Sequence, residues 1–216
     1  MRISHSHKFI FLATPRTGST TARKVLDKYT DIASVHISMV SSDFPFYHHI
    51  SALELKTIFE DRDWDWDSYE KFCFVRNPYD RVVSLYHHHL KMRKNLKVNS
   101  VRSFVRKLRY MTTRTPSFRD YVMNINPKNR LPTSLESFLC DGNGDFLVNE
   151  VLMFEELEDE LPKFLSKLDI SITADDIPYL NASTGRQQYS KYYDEELKNK
   201  VRDLYEYEFD RFGYSF

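Results

Sequence analysis

Two short runs carry residues whose types and spacing fit anion chemistry. The first is Thr14-Pro15-Arg16-Thr17-Gly18-Ser19-Thr20-Thr21, which follows an apolar run and leads into a helical pattern. A turn of this kind aims several backbone N–H groups at one point, and the start of the next helix adds partial positive charge there. Gly18 permits close backbone approach, and Ser19, Thr20 and Thr21 add hydroxyl donors. Arg16 adds a permanent charge on a planar donor fork. The loop suits a phosphate or sulfate group; an ordinary strand-to-helix turn with a Ser/Thr cap is the alternative. It is not the nucleoside-triphosphatase loop G-x-x-x-x-G-K-[ST], because Ser19 follows Gly18 where that loop has Lys, and Ala13 stands where its first Gly would be. In the second run, Arg76 ends another apolar stretch, where α/β sheets present ligand contacts. Ser84 follows eight residues later, in a helical pattern. Together they make a second anion site. The alternative pairs Arg76 with Asp80 and leaves Ser84 as a packed helix hydroxyl. Two such sites suit a ligand with two separated anionic groups.

The elements that must position these residues are legible around them. Lys8 to Thr14 reads as a strand buried on both faces. Ala22, Val25, Leu26 and Tyr29 then recur at helical spacing. Phe72 to Val75 forms a second buried strand. Asn77 can cap the next helix, with Pro78 at its first position, where a missing N–H costs little. Val82, Val83, Leu85, Tyr86 and Leu90 give that helix its apolar face. Two strand–loop–helix units argue for an α/β fold with a central parallel sheet flanked by helices. Later, Glu155 to Leu168 reads as a helix in two pieces, broken at Pro162. A last helix runs from about Asp194 to Phe212, with Gly213 as its C-terminal cap.

Composition bounds the rest. The chain has 216 residues, 31 Lys and Arg against 31 Asp and Glu, and so no net charge to mark the whole chain as a polyanion binder. One domain over residues 1–216 is expected. Charge is instead local. Residues 54–70 hold seven acids and two bases and read as a solvated helix face and loop. Residues 91–130 hold twelve Lys and Arg and one acid, Asp120, with Phe104, Tyr110, Phe118 and Tyr121 interleaved. This stretch reads as a basic helical insertion outside the sheet core, at about 91–135, which either binds a polyanion or is solvated surface. No run of 18 apolar residues exists, and the start does not read as a signal peptide. No membrane or nucleic-acid partner and a cytoplasmic location are therefore expected. Cys73 and Cys140 read as free thiols. His87, His88 and His89 face different ways round a helix, so a shared metal site is not expected there.

Three segments, in order, resemble the sulfotransferases that use 3′-phosphoadenosine 5′-phosphosulfate (PAPS), in their carbohydrate branch. TPRTGSTT resembles that family's 5′-phosphosulfate loop, FCFVRNPYDRVVSLY its 3′-phosphate motif, and the segment from Asn181 to Phe216 its C-terminal part. The resemblance implies a P-loop-kinase-like sulfotransferase fold, PAPS as donor, PAP as product and no metal. Pro15, Arg16, Thr17, Gly18, Ser19, Thr20, Thr21, Arg76 and Ser84 would hold the nucleotide, with Gly185 and Arg186 closing over it. Arg16 stands where many members carry Lys. It would stabilise charge growing on the departing phosphate. PFYHHISALEL resembles the glycan 2-O-sulfotransferase segment that carries a catalytic His, which implies His49 as the base that takes the acceptor's proton, with His48 next. His36 is the rival, since other branches use an acid or His near there. Phe154-Glu155 resembles a Phe-Glu pair that recurs ahead of a family helix, either as a core anchor or as an acceptor contact. The acceptor expected is a hydroxyl, most plausibly on a carbohydrate, with the basic insertion on its side favouring an anionic one. The competing readings are a PAP- or glycan-binding module without turnover and a nucleotide kinase on a related sheet. The missing Walker lysine and Mg²⁺-ligand pattern argue against the kinase.

Overall fold

The computed structural model describes residues 1–98, 100–126, 134–178 and 186–216. The chain divides into two compact units, residues 1–76 with 133–182 and residues 77–132 with 183–216, each with its own apolar core. In chain order, the helices among the described residues are α1 (Ser19–Leu26), α2 (Ala52–Asp61), α3 (Pro78–Lys94), α4 (Val101–Thr112), α5 (Phe118–Met123), α6 (Glu136–Leu139), α7 (Leu157–Ser166), α8 (Glu195–Leu204) and α9 (Glu206–Phe212).

The first unit is built on a sheet of β1 (Arg2–Ser4), β2 (Phe9–Leu12), β3 (Ile32–Ala33), β4 (Glu70–Val75) and β5 (Glu150–Met153), in the order β3-β1-β2-β4-β5. β2, β4 and β5 run parallel, with Phe9 opposite Glu70 and Phe72 opposite Glu150. β1 is antiparallel to both of its neighbours. The sheet is thus mixed: the expected parallel centre of β2, β4 and β5, extended by β1 and β3 in antiparallel pairing. The turn between Ser4 and Phe9 is too short for a crossover and permits only antiparallel pairing. β1 itself is too short to show a period.

Every residue of β2 is buried, as a strand covered on both faces must be. Phe9, Phe11, Phe72 and Phe74 pack with Ala22, Val25 and Leu26 of α1 and Leu161, Phe164 and Leu165 of α7. The Phe72 and Phe164 rings lie 4.3 Å apart. That packing explains why α7 runs unbroken through Pro162, against the expected break there. Its apolar face is fully engaged, which outweighs one missing N–H. The chain instead changes geometry earlier, in a 3-10 turn over Phe154–Glu156.

The second unit is helical. Asn77 caps α3 by accepting from the Tyr79 N–H at 3.0 Å, and Pro78 opens the helix as expected. Tyr79, Val82 and Val83 of α3 pack against Phe118 and Val122 of α5 and Leu197 and Val201 of α8. The expected single last helix is two, α8 and α9, divided at Tyr205. At that break the Tyr205 ring lies 4.7 Å from the Arg81 guanidinium, and Glu208 of α9 pairs with Arg81 at 3.2 Å, both side chains almost fully buried. A buried charge needs a partner, and this pairing is long-range, invisible to a 3.6-residue pattern. Gly213 ends α9 at φ +68°, in the left-handed region a glycine cap supplies.

Candidate active site

Parallel pairing of β2 with β4 puts their carboxyl ends side by side, and the anion-type residues of the first unit leave from those ends. The Thr14 hydroxyl donates to the Phe74 carbonyl of β4, tying the loop to the neighbouring strand. The Thr17 hydroxyl is fully buried, donates to the Thr14 carbonyl at 3.0 Å and lies 2.6 Å from the Thr14 hydroxyl. It is engaged inside the loop, so any ligand contact from Thr17 falls to its backbone. Arg16 and Gly18 both have left-handed backbone, φ +66° and +74°. Alternation of right- and left-handed residues curls successive N–H groups into an anion-binding concavity. α1 starts at Ser19 with no acid in its first turn. Ser19 and Thr21 are buried and Thr20 is exposed, with its hydroxyl 3.5 Å from an Arg23 nitrogen. Pro15 and Arg16 are half-buried.

Arg76 reaches this loop. Its Nη1 donates to the Arg16 carbonyl at 3.2 Å, and its guanidinium lies 4.2 Å from the centre of the Phe154 ring. Burial, then the charge of Arg76, pulls the Arg16 guanidinium below its ordinary pKa. Two like charges in a partly desolvated site cost free energy that a bound anion relieves.

The three candidate histidines differ in setting. The segment carrying His49 is pinned by buried Phe46 and Ile50 on either side and by the Val35 N–H donating to the Phe46 carbonyl at 3.0 Å. Ser51 next caps α2 in a reciprocal box with Glu54. His49 Nδ1 lies 2.7 Å from the Ala13 carbonyl, at the start of the anion loop. A carbonyl only accepts, so Nδ1 carries the hydrogen and Nε2 keeps its lone pair. Burial lowers the His49 pKa below 6.5, opposed by that hydrogen bond. His48 instead turns Nδ1 to the Ser34 hydroxyl at 2.9 Å, and burial, then the Arg23 charge, lowers it to about 4. His36 is exposed and caps a 3-10 turn, its Nδ1 accepting from the Ser38 N–H at 3.3 Å.

In the second unit, Ser84 is buried on α3. Arg186 pairs with Asp80, one helical turn before Ser84 on the same face. Gly185 lies outside the described residues. His87 Nε2 lies 2.8 Å from the Tyr192 hydroxyl, and among the described residues no three His, Cys, Asp or Glu side chains gather as metal ligands would. Cys73 and Cys140 are both buried free thiols.

The model of a protein family described as "Sulfotransferase family" matches residues 1–215. The chain belongs to the sulfotransferase family. Among curated sulfotransferases it is 25% identical to carbohydrate sulfotransferase 10 of Xenopus laevis and 24% identical to that of Gallus gallus, in each case over 98% of this chain. It spans 66% and 65% of the length of those relatives, just under two thirds. Among solved structures, mouse sulfotransferase SULT7A1 complexed with PAP matches with a TM-score of 0.56 at 13% identity, covering 93% of this chain and 84% of that one. That likeness carries the fold.

One residue gains a role in this sulfotransferase-family chain that its motif did not show. Phe154 stands at the end of β5, under the Arg76 guanidinium and against Gly18. A Cβ on Gly18 would lie 2.6 Å from two Phe154 ring carbons and 3.0 Å from Leu157 Cδ1. Glycine is thus required by the close approach of the ring as well as by φ. Only a signal linking residues 18, 76 and 154 across the chain would have shown this. Gly18→Ala combines left-handed strain of about 1–2 kcal/mol with overpacking of about 1–3 kcal/mol. Denaturant unfolding is expected to show the sum, roughly 2–5 kcal/mol lost. Gly142 has ordinary φ and open space around it, and its change to Ala is expected to stay within about 0.5 kcal/mol.

Proposed function

We propose that this protein transfers the sulfuryl group of PAPS to an acceptor hydroxyl on a carbohydrate. The observation that carries the reading is the meeting of Arg76 with the Arg16 loop at the ends of adjacent parallel strands, 3.2 Å from guanidinium to carbonyl, in a sulfotransferase-family chain. The names of the relatives support the carbohydrate, and the PAP complex of the structural neighbour supports the donor. In this reading the loop N–H groups, Arg16, Ser19, Thr20 and Thr21 take the 5′ end of the donor. Arg76, Ser84, Gly185 and Arg186 take the 3′-phosphate.

PAPS supplies an activated sulfuryl group on a good leaving group. The acceptor oxygen forms a bond to sulfur as the bond from sulfur to the 5′-phosphate oxygen breaks. His49 Nε2 takes the acceptor's proton, and Arg16 with the loop N–H groups stabilises the charge that grows on the departing phosphate. The Ala13 carbonyl holds the imidazole in the tautomer this needs. His48 and His36 are the lesser candidates: His48 is tied to Ser34 and not to the anion loop, and His36 Nδ1 accepts from the Ser38 N–H, which leaves the hydrogen of the neutral ring on Nε2. The exposed Lys91, Lys94 and Lys97 would favour an anionic glycan as acceptor.

The deciding experiment is transfer of label from PAPS to a panel of glycans, phenols and small alcohols, beside thermal shifts. PAP is expected to stabilise the protein without added metal and ATP–Mg²⁺ to do little. Stabilisation by PAP with no labelled product from any acceptor would make this a binding module. In the same assay, reversing exposed Lys91, Lys94 and Lys97 to Glu is expected to raise acceptor KM several-fold while PAP binding holds; unchanged KM would remove the insertion from the acceptor side. His49→Ala is expected to lose about 10²-fold or more in kcat, the range for a general base, with the PAP shift retained. Full activity in that variant would transfer the role to His48 or His36. The base works neutral, so activity falls as pH drops through the His49 pKa. Because burial lowers that pKa, the acid limb of kcat/KM is expected below pH 6.5, with a flat profile at neutrality.

A further inference from the structure

Helix α4 is attached to its unit by its polar side. Ser100 and Ser103 close a reciprocal cap at its N-terminus, and Ser103 is buried. At the other end Arg93 of α3 donates to the Tyr110 carbonyl at 2.6 Å and packs on the Tyr110 ring at 4.9 Å. The apolar stripe of the helix, Val101, Phe104, Val105, Leu108 and Met111, points the other way and is between 46% and 81% exposed. An amphipathic helix ordinarily buries such a stripe, and a contiguous exposed one marks an interaction surface.

The charges round the stripe define what it fits. Lys107 lies four residues before Met111 and Arg109 four after Val105, so each is offset from an edge of the stripe by about 40°. Residues 91–119 hold ten Lys and Arg and no Asp or Glu. A second copy packed stripe to stripe would set these cations against their own kind. An anionic lipid surface offers both an apolar layer for the stripe and negative headgroups for its flanks. We propose that α4 lies flat on an anionic phospholipid bilayer, with the stripe in the headgroup–acyl boundary and Lys107 and Arg109 at lipid phosphates. From Val101 to Met111 the stripe is about 15 Å long, half of a bilayer core of about 30 Å, and no described helix is long and apolar enough to cross a membrane. This is contact with a surface and not a crossing, and it is independent of the transfer reaction.

The test is co-sedimentation of the full chain with phosphatidylcholine vesicles, with and without about 30% phosphatidylserine. Wild type is expected to bind the anionic vesicles at least about tenfold better than the neutral ones. Phe104→Ser with Leu108→Ser, both at exposed positions, is expected to lose about tenfold of that binding with circular dichroism and the PAP shift unchanged. Lys107→Glu with Arg109→Glu is expected to lose as much. Absence of binding to anionic vesicles, or binding untouched by the serine pair, would overturn the proposal. So would a wild-type dimer in sedimentation equilibrium that the serine pair converts to monomer, since a second copy would then cover the stripe.

Discussion

The first unit's chemistry depends on one constraint: two arginines must be held together at the ends of two parallel strands. Parallel register between β2 and β4 brings the Thr14 loop beside Arg76. Arg76 then fixes the loop through the Arg16 carbonyl while its face rests on Phe154. The same ring packs against Gly18. One aromatic side chain therefore sets the height of both the glycine turn and the second arginine. Depression of the Arg16 pKa by burial and by Arg76 is the electrostatic cost of that arrangement. An anion bound there would relieve that cost without any group having to reorient.

The candidate base is part of the same construction. His49 holds on to the Ala13 carbonyl, the residue between β2 and the anion loop. The strand end that launches the loop thereby also fixes the imidazole tautomer. Burial that lowers the His49 pKa keeps the ring neutral at physiological pH, the form a proton acceptor needs. The neighbouring His48 is set differently: burial, then the Arg23 charge, lowers its pKa to about 4, and its Nδ1 is turned to Ser34 and not to the loop.

Local grammar made much of this legible. The apolar runs before Thr14 and Arg76, the Asn77-Pro78 helix start and the Gly213 cap are all read within a few residues, and all are present. The misses share a cause, which is that tertiary contacts decided them. α7 passes through Pro162 because its far face is packed on Phe72 and its neighbours. The last helix divides at Tyr205, where Arg81 finds Glu208. β1 pairs on both sides, with β2 and β3, although three residues carry no period. Residues 91–130 read from charge only as a basic helical insertion; an amphipathic period within them would not say which side of the helix meets the protein, and in α4 it is the polar one.

Donor and acceptor recognition sit on different footings in this chain. The anion loop, Arg76 and Phe154 belong to the sheet unit, where strand register sets their positions; the likeness at 13% identity shows the fold alone. What receives the sulfuryl group is a matter of local side chains, and folds do not determine such sites. The basic stretch from Lys91 to Arg130 is where this chain concentrates charge, twelve cations against one acid. Arg93 is drawn into the structure by capping α4, while Lys91, Lys94 and Lys97 remain exposed. Flexible, strongly hydrated ammonium groups recognise charge more than shape. Such groups suit a multiply charged partner recognised by charge, whereas the planar, permanently charged guanidinium groups of Arg16 and Arg76 suit an anion held in fixed geometry.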